Sequence, residues 1–480
     1  LRTQARTACT SARTQDDEYR RAASVCLDDA RLELVALADR LAHGAPIAMA
    51  GALHHAIALP DVLGCADARR LALAQPSARA PERTREAREL FARARDAQTA
   101  LAFGPPPTEL ATTIATAIAD AERSTALALA DGDRGLAAAA AIVHARLLVR
   151  RGEGTAADAV LRRAVEHAIA IDDPVLRLHA MIVQVYVIGL DRDRADEAYL
   201  LGEQVRTLID AGGAELSRAQ LDNNLGTVAA RDRRDRTSDA ETFHRAALAG
   251  FAAQLGDGHP DTLASRVNLA SALAQANRPD DALAELHVAL APALAVWGEQ
   301  HPSTARLFGV LGNTELRAGR LAEAESWMRR ALAVQERAFG PDDAEVASAL
   351  YNLAMVLRRN RDPGGAITAL RRGLAIRERL VGREAAELIA WLVALGEAEL
   401  EHGAPDRAEP ELRRALSLCE TDGAPAKDFA RVRAALARAV APRDRNEAKV
   451  LASAARATYV ELRDDAARDR MDALLAELAP

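Results

Sequence analysis

Apolar and small residues return along this chain at a fixed step. Leu269, Leu311, Leu353 and Leu395 are spaced by 42 residues, and so are Ala282, Ala324, Ala366 and Ala408. The same step links Leu290, Leu332, Leu374 and Leu416, and the glycines Gly256, Gly298, Gly340 and Gly382. A small residue follows each member of the first column: Ala270, Gly312, Ala354 and Gly396. Four columns in one register mark an internal repeat. Within a unit, the pattern predicts a helix over about 262–276, then a turn at Asn277-Arg278-Pro279-Asp280. A second helix is predicted over about 281–297, with Asp280 or Asp281 as its N-cap. Ala282, Leu286, Ala289 and Leu290 fall on one face of that helix. The small columns mark close helix–helix approach.

The period continues upstream. Asn224-Leu225-Gly226 matches Asn268-Leu269-Ala270, and Ala240, Ala247 and Leu248 lie 42 residues before Ala282, Ala289 and Leu290. Ala198 opens an earlier second helix, and Ala157, Leu161, Ala164 and Val165 another. Downstream, Ala448, Ala452 and Ala455 give a weaker copy, and 464–478 reads as a capping helix. The expected organisation is a helical segment over 1–80, a divergent helical pair over 81–130, and a repeat array over 131–423. The array is most regular over 214–423, with a degenerate last repeat and cap over 424–480. The predicted class is all-α.

Composition agrees with that. Apolar residues make up 49% of the 480, yet there are only 3 Trp, 5 Tyr and 7 Phe, so the apolar content is Ala, Leu and Val. Of 62 basic residues, all but Lys427 and Lys449 are arginine. A net charge of −7 gives no electrostatic case for nucleic acid as a partner. The longest apolar stretch, around 181–190, is too short to span a bilayer. No metal or cofactor is expected. His54-His55 point to different sides of a helix, and Asp131-Gly132-Asp133 lacks the later ligands of a calcium loop. His259 and His301 precede Pro and belong to the interhelix turn.

These columns resemble the tetratricopeptide repeat (TPR). The large–small pair Leu269-Ala270, then Ala282, Leu286 and Ala289-Leu290, carry the resemblance. The 42-residue length and the Gly-x-x-His-Pro turns at 256–260 and 298–302 resemble the kinesin-light-chain subtype. Two copies lack His-Pro, Gly340-Pro341-Asp342-Asp343 and Gly382-Arg383-Glu384, and there an Asp or Glu is expected to cap the next helix. The resemblance implies a right-handed superhelix whose first helices line a concave groove for a protein or peptide. In such repeats an Asn before the Leu column bonds an extended peptide; here Asn224, Asn268 and Asn352 stand there. Thr227, Ser271 and Asn313 follow one turn on, and Arg306, Arg317 and Arg358 are candidates for an acidic ligand group. The alternative for each Asn is a bond within the array or to water.

Residues 1–80 hold Cys9, Cys26 and Cys65. A long helix is predicted over about 16–41 and another near 45–59. The three cysteines are either small core residues or include a disulfide, and the sequence does not choose the pair. Ala8-Cys9-Thr10, Cys26-Leu27-Asp28, the Leu-rich helix that follows and Leu59-Pro60 leading to Cys65 resemble the extracytoplasmic region of bacterial membrane-anchored serine/threonine kinases. That resemblance implies a sensory and regulatory region on the outer side of the inner membrane, with the kinase and one membrane helix before Leu1. No kinase motif is present, no enzyme is expected in this chain, and no membrane contact is expected within it. The other expectation is a free-standing cytoplasmic TPR adaptor that assembles a protein complex.

Overall fold

A computed structural model describes residues 81–480 apart from 104–109, 191–193, 213, 233, 235 and 480. The expected helices over 16–41 and 45–59, and Cys9, Cys26 and Cys65, lie outside the described residues. Among the described residues there are nineteen α-helices. They are α1 (Pro81–Phe103), α2 (Leu110–Ala130), α3 (Arg134–Arg150), α4 (Gly154–Ala170), α5 (Pro174–Leu190) and α6 (Ala195–Gly212). Next come α7 (Glu215–Arg231), α8 (Thr237–Leu255), α9 (Pro260–Gln275), α10 (Pro279–Trp297), α11 (Pro302–Arg317), α12 (Leu321–Phe339), α13 (Ala344–Arg359) and α14 (Pro363–Val381). The chain closes with α15 (Ile389–Glu401), α16 (Pro405–Asp422), α17 (Ala426–Val440), α18 (Arg445–Glu461) and α19 (Asp465–Glu477). Each odd helix from α1 to α17 packs on the even helix after it, α11 on α12 through Gly312 against Met328 and Phe308 against Trp327, and the helices group into two compact units that part between Thr304 and Ala305.

The columns are the core. Leu269, Leu311 and Leu395 are buried to 1% exposure or less, and Leu353 to 4%. Ala282, Ala324, Ala366 and Ala408 have no exposed surface at all. The small residue after each Leu faces the second helix of its own hairpin. A Cβ added at Gly312 would lie 2.9 Å from Met328, and one added at Gly396 only 2.5 Å from Leu412. The column Leu290, Leu332, Leu374 and Leu416 is weaker: only Leu374 is buried, and the other three are half-buried. Cys419 is buried in the core of the second unit, and burial pushes its thiol pKa up to about 11.

The glycine column has a backbone cause. Gly256, Gly298, Gly340 and Gly382 all take φ between 77° and 85°, where a Cβ is strained. After the first two of them the His-Pro turn caps the next helix. His259 Nδ1 accepts the Asp261 N–H at 3.2 Å, and His301 Nδ1 accepts the Ser303 N–H at 3.0 Å. Thr262 and Thr304 then donate back to the Gly256 and Gly298 carbonyls. Where His-Pro is lacking, Asp343 accepts the Glu345 N–H at 2.8 Å. The Gly382 copy differs: a 3₁₀ turn, Ala386–Leu388, leads into α15 with no side-chain cap. The N-cap expected of Asp280 or Asp281 is also displaced. Pro279 occupies the first turn of α10, so both carboxylates sit inside the first turn, where the helix dipole favours them.

Arginine stitches repeat to repeat. Arg194 meets Asp158 at 2.9 Å, Arg234 meets Asp196 at 2.7 Å, and Arg278 meets Glu241 at 3.0 Å. In the second unit Arg414 reaches Glu378, and Arg443 reaches Glu409 at 2.6 Å. Partners in these pairs are separated by 34 to 38 residues, about one repeat. Most are exposed, so each is worth ~0–1 kcal/mol.

Candidate peptide groove on the odd helices

Odd helices touch their even partners and also one another: α3 meets α5, α5 meets α7, and α15 meets α17. A layer whose members approach each other lies on the inside of a curve, so the odd helices form the inner face of each unit. Even helices carry most of the large exposed apolar residues, including Leu200, Val288 and Val450.

In the first unit the expected residues lie on that face and are half-buried. Asn224 donates through Nδ2 to the Ile182 carbonyl at 2.9 Å, tying α7 to α5. Asn268 donates to Asn223 Oδ1 at 2.9 Å, tying α9 to α7. Thr227 and Ser271 donate to carbonyls one turn back on their own helices. The amide N–H groups therefore serve the array, while Asn224 keeps its Oδ1 for an incoming donor.

The second unit differs. Asn352 is half-buried and Asn313 exposed, and neither makes a hydrogen bond among the described residues. Arg306 and Arg317 are exposed. Arg358 is engaged within the array: it meets Glu397 at 2.9 Å and Glu401 at 2.6 Å on α15. Burial works against its charge, but the two carboxylates hold its pKa above the ordinary value. A ligand carboxylate would have to displace them. Tyr351 sits edge-on to Trp391 with centroids 4.9 Å apart, and burial raises its phenol pKa against the opposing pull of Arg431.

The row of Thr227, Ser271, Asn313, Met355 and Glu397 extends further than the 42-residue step reveals. Tyr186 on α5 and Arg146 on α3 continue it, at intervals of 41 and 40 residues. Both fall off a strict 42-residue step. The helix cap at Asp133, which accepts the Leu136 N–H at 2.9 Å, is the local signal that would have set the register.

Residues 217–291, 303–379 and 345–421 match the tetratricopeptide repeat family. These stretches are tetratricopeptide repeats. With their 42-residue length and His-Pro turns, the repeats are of kinesin-light-chain-like type. A solved STAND signal-transduction ATPase from Pyrococcus horikoshii, with a tetratricopeptide repeat sensor, is similar in fold. Its TM-score is 0.54 at 13% identity, over 77% of this chain and 55% of that one. A kinesin-light-chain structure from Podosopora anserina gives 0.37 at 20% identity, over 43% of this chain and 96% of that one. The apo quorum sensor NprR from B. thuringiensis gives 0.44 at 13%, over 82% and 99%. No curated protein matches the sequence. Among the described residues, no TPR helix is long and apolar enough to cross a membrane, and no group of three or more His, Cys, Asp or Glu is placed to hold a metal.

Proposed function

We propose that this chain is a non-catalytic scaffold that binds extended protein segments along the inner face of the odd helices in each unit. The observation that carries this is the polar, half-buried row on that face: Asn224 with an unused carbonyl oxygen, and Asn352 with no intramolecular bond. Polar groups in that state gain by meeting a backbone N–H or C=O. The test is capture of peptides by the chain and by an Asn313→Ala/Asn352→Ala variant. Neither residue holds the array together, so a weakened capture at unchanged helicity supports the groove. Unchanged capture moves the ligand elsewhere.

The finer reading is that this scaffold is the sensory region of a membrane-anchored serine/threonine kinase, outside the cytoplasm. It is supported by the Cys-bearing motifs of residues 1–80 followed by the repeats. The reading frame upstream of Leu1 tests it: a start codon adjacent to Leu1, with no kinase encoded before it, leaves the free-standing adaptor.

A further inference from the structure

We propose that Arg146 is the receptor for a carboxylate of the bound peptide on the inner face of the first unit. This rests on the reading of that face as a peptide groove and names the chemistry it selects. Arg146 heads the row that runs through Tyr186, Thr227 and Ser271 on α3, α5, α7 and α9. It is half-buried, flanked in sequence by Ala145 and Leu147, which have no exposed surface. It makes no hydrogen bond or ion pair among the described residues.

Several other half-buried arginines of this unit are paired with a carboxylate, although Arg177 is not. Arg194 meets Asp158 at 2.9 Å, Arg206 meets Asp222 at 3.0 Å, and Arg218 meets Asp210 at 2.5 Å. For Arg146 the charge that acts on it is the Asp261 carboxylate at the start of α9, too distant for a bond. Burial still holds its pKa below the ordinary value. A guanidinium taken out of water without a counter-charge is a standing cost to the free fold, recovered when an anion arrives. The planar fork suits a carboxylate, which offers two oxygens to two parallel N–H groups. Further along this face, on α7, the hydroxyl of Thr227 and the amide oxygen of Asn224 suit the peptide backbone.

The test uses an array of immobilised eight-residue peptides of random sequence. Each is paired with a version in which every Asp and Glu is the amide, and each is made with a free and an amidated C-terminus. The full chain should retain acidic members at least tenfold better than their amide partners. Arg146→Gln should lose that preference, Arg146→Lys should keep part of it, and Arg163→Gln, at an exposed arginine of the even helix α4, should keep all of it. The amidated set separates a side-chain carboxylate from a terminal one. Equal retention of both members of each pair, or an unchanged preference in Arg146→Gln, overturns the assignment and leaves the groove standing. An array that retains no peptide overturns the groove and this assignment together. Arg146→Met should melt at or above the parent temperature; a fall of several degrees would mark Arg146 as a structural residue and overturn the proposal.

Discussion

The inner faces of the two units tie neighbouring helices with different chemistry. In the first unit, neighbouring odd helices are tied by neutral amides: Asn224 to Ile182, and Asn268 to Asn223. In the second, the tie between α13 and α15 is ionic, Arg358 with Glu397 and Glu401. The links also stand at different places in the repeat: Asn224 and Asn268 come just before the Leu column, whereas Arg358 comes five residues after Leu353.

The largest effects should come from what the units have in common. Leu269→Ala and Leu353→Ala each remove a buried member of the same column and should each cost ~2–5 kcal/mol in thermal or denaturant unfolding. Similar losses would show that both units depend equally on that column. A loss under ~1 kcal/mol in either would break the equivalence. Cys419 separates the two changes. Its buried thiol, with a pKa raised to about 11, should resist alkylation in the folded chain. Leu353→Ala should accelerate its labelling more than Leu269→Ala does, because openings are local in a repeat array.

The links themselves come next. Arg358→Ala leaves two carboxylates without their partner and should cost ~1–2 kcal/mol, between the exposed and buried limits for ion pairs. Its cost should shrink as salt is raised. Asn224→Ala loses one hydrogen bond, ~1 kcal/mol, and should be indifferent to salt. If both respond to salt alike, the contrast between the two inner faces is wrong. The smallest effect belongs to Asn352→Ala, which breaks no intramolecular bond and should stay within ~0.5 kcal/mol.

Much of this was legible in the sequence. The columns named the core because a helix face repeats its apolar positions, and the glycines named the turns because only they accept φ near 80°. The His-Pro dipeptide marked helix starts, as His259 and His301 now show by capping. What stayed hidden were partners one repeat away. Asn224 finds its acceptor 42 residues back and Asn268 finds Asn223 at 45, and no local pattern announces either. Arg358 offered more, since Glu401 lies 43 residues on, one period along the same face. Arg146 and Tyr186 escaped because the upstream repeats are shorter than 42. The low aromatic content also acquired a use: the few rings present on the inner face, Tyr186 and Tyr351, mark positions where a probe can be placed.

We infer that the ligand lies on the odd-helix face. The most direct measurement places a photo-crosslinking residue at Tyr186, Tyr351, Leu200 or Val450, and exposes each full-length variant to the same peptide array under light. Crosslinking at Tyr186 or Tyr351, with none at the exposed even-helix positions Leu200 and Val450, is the predicted result. Capture at Leu200 or Val450, with none at the two tyrosines, would contradict it.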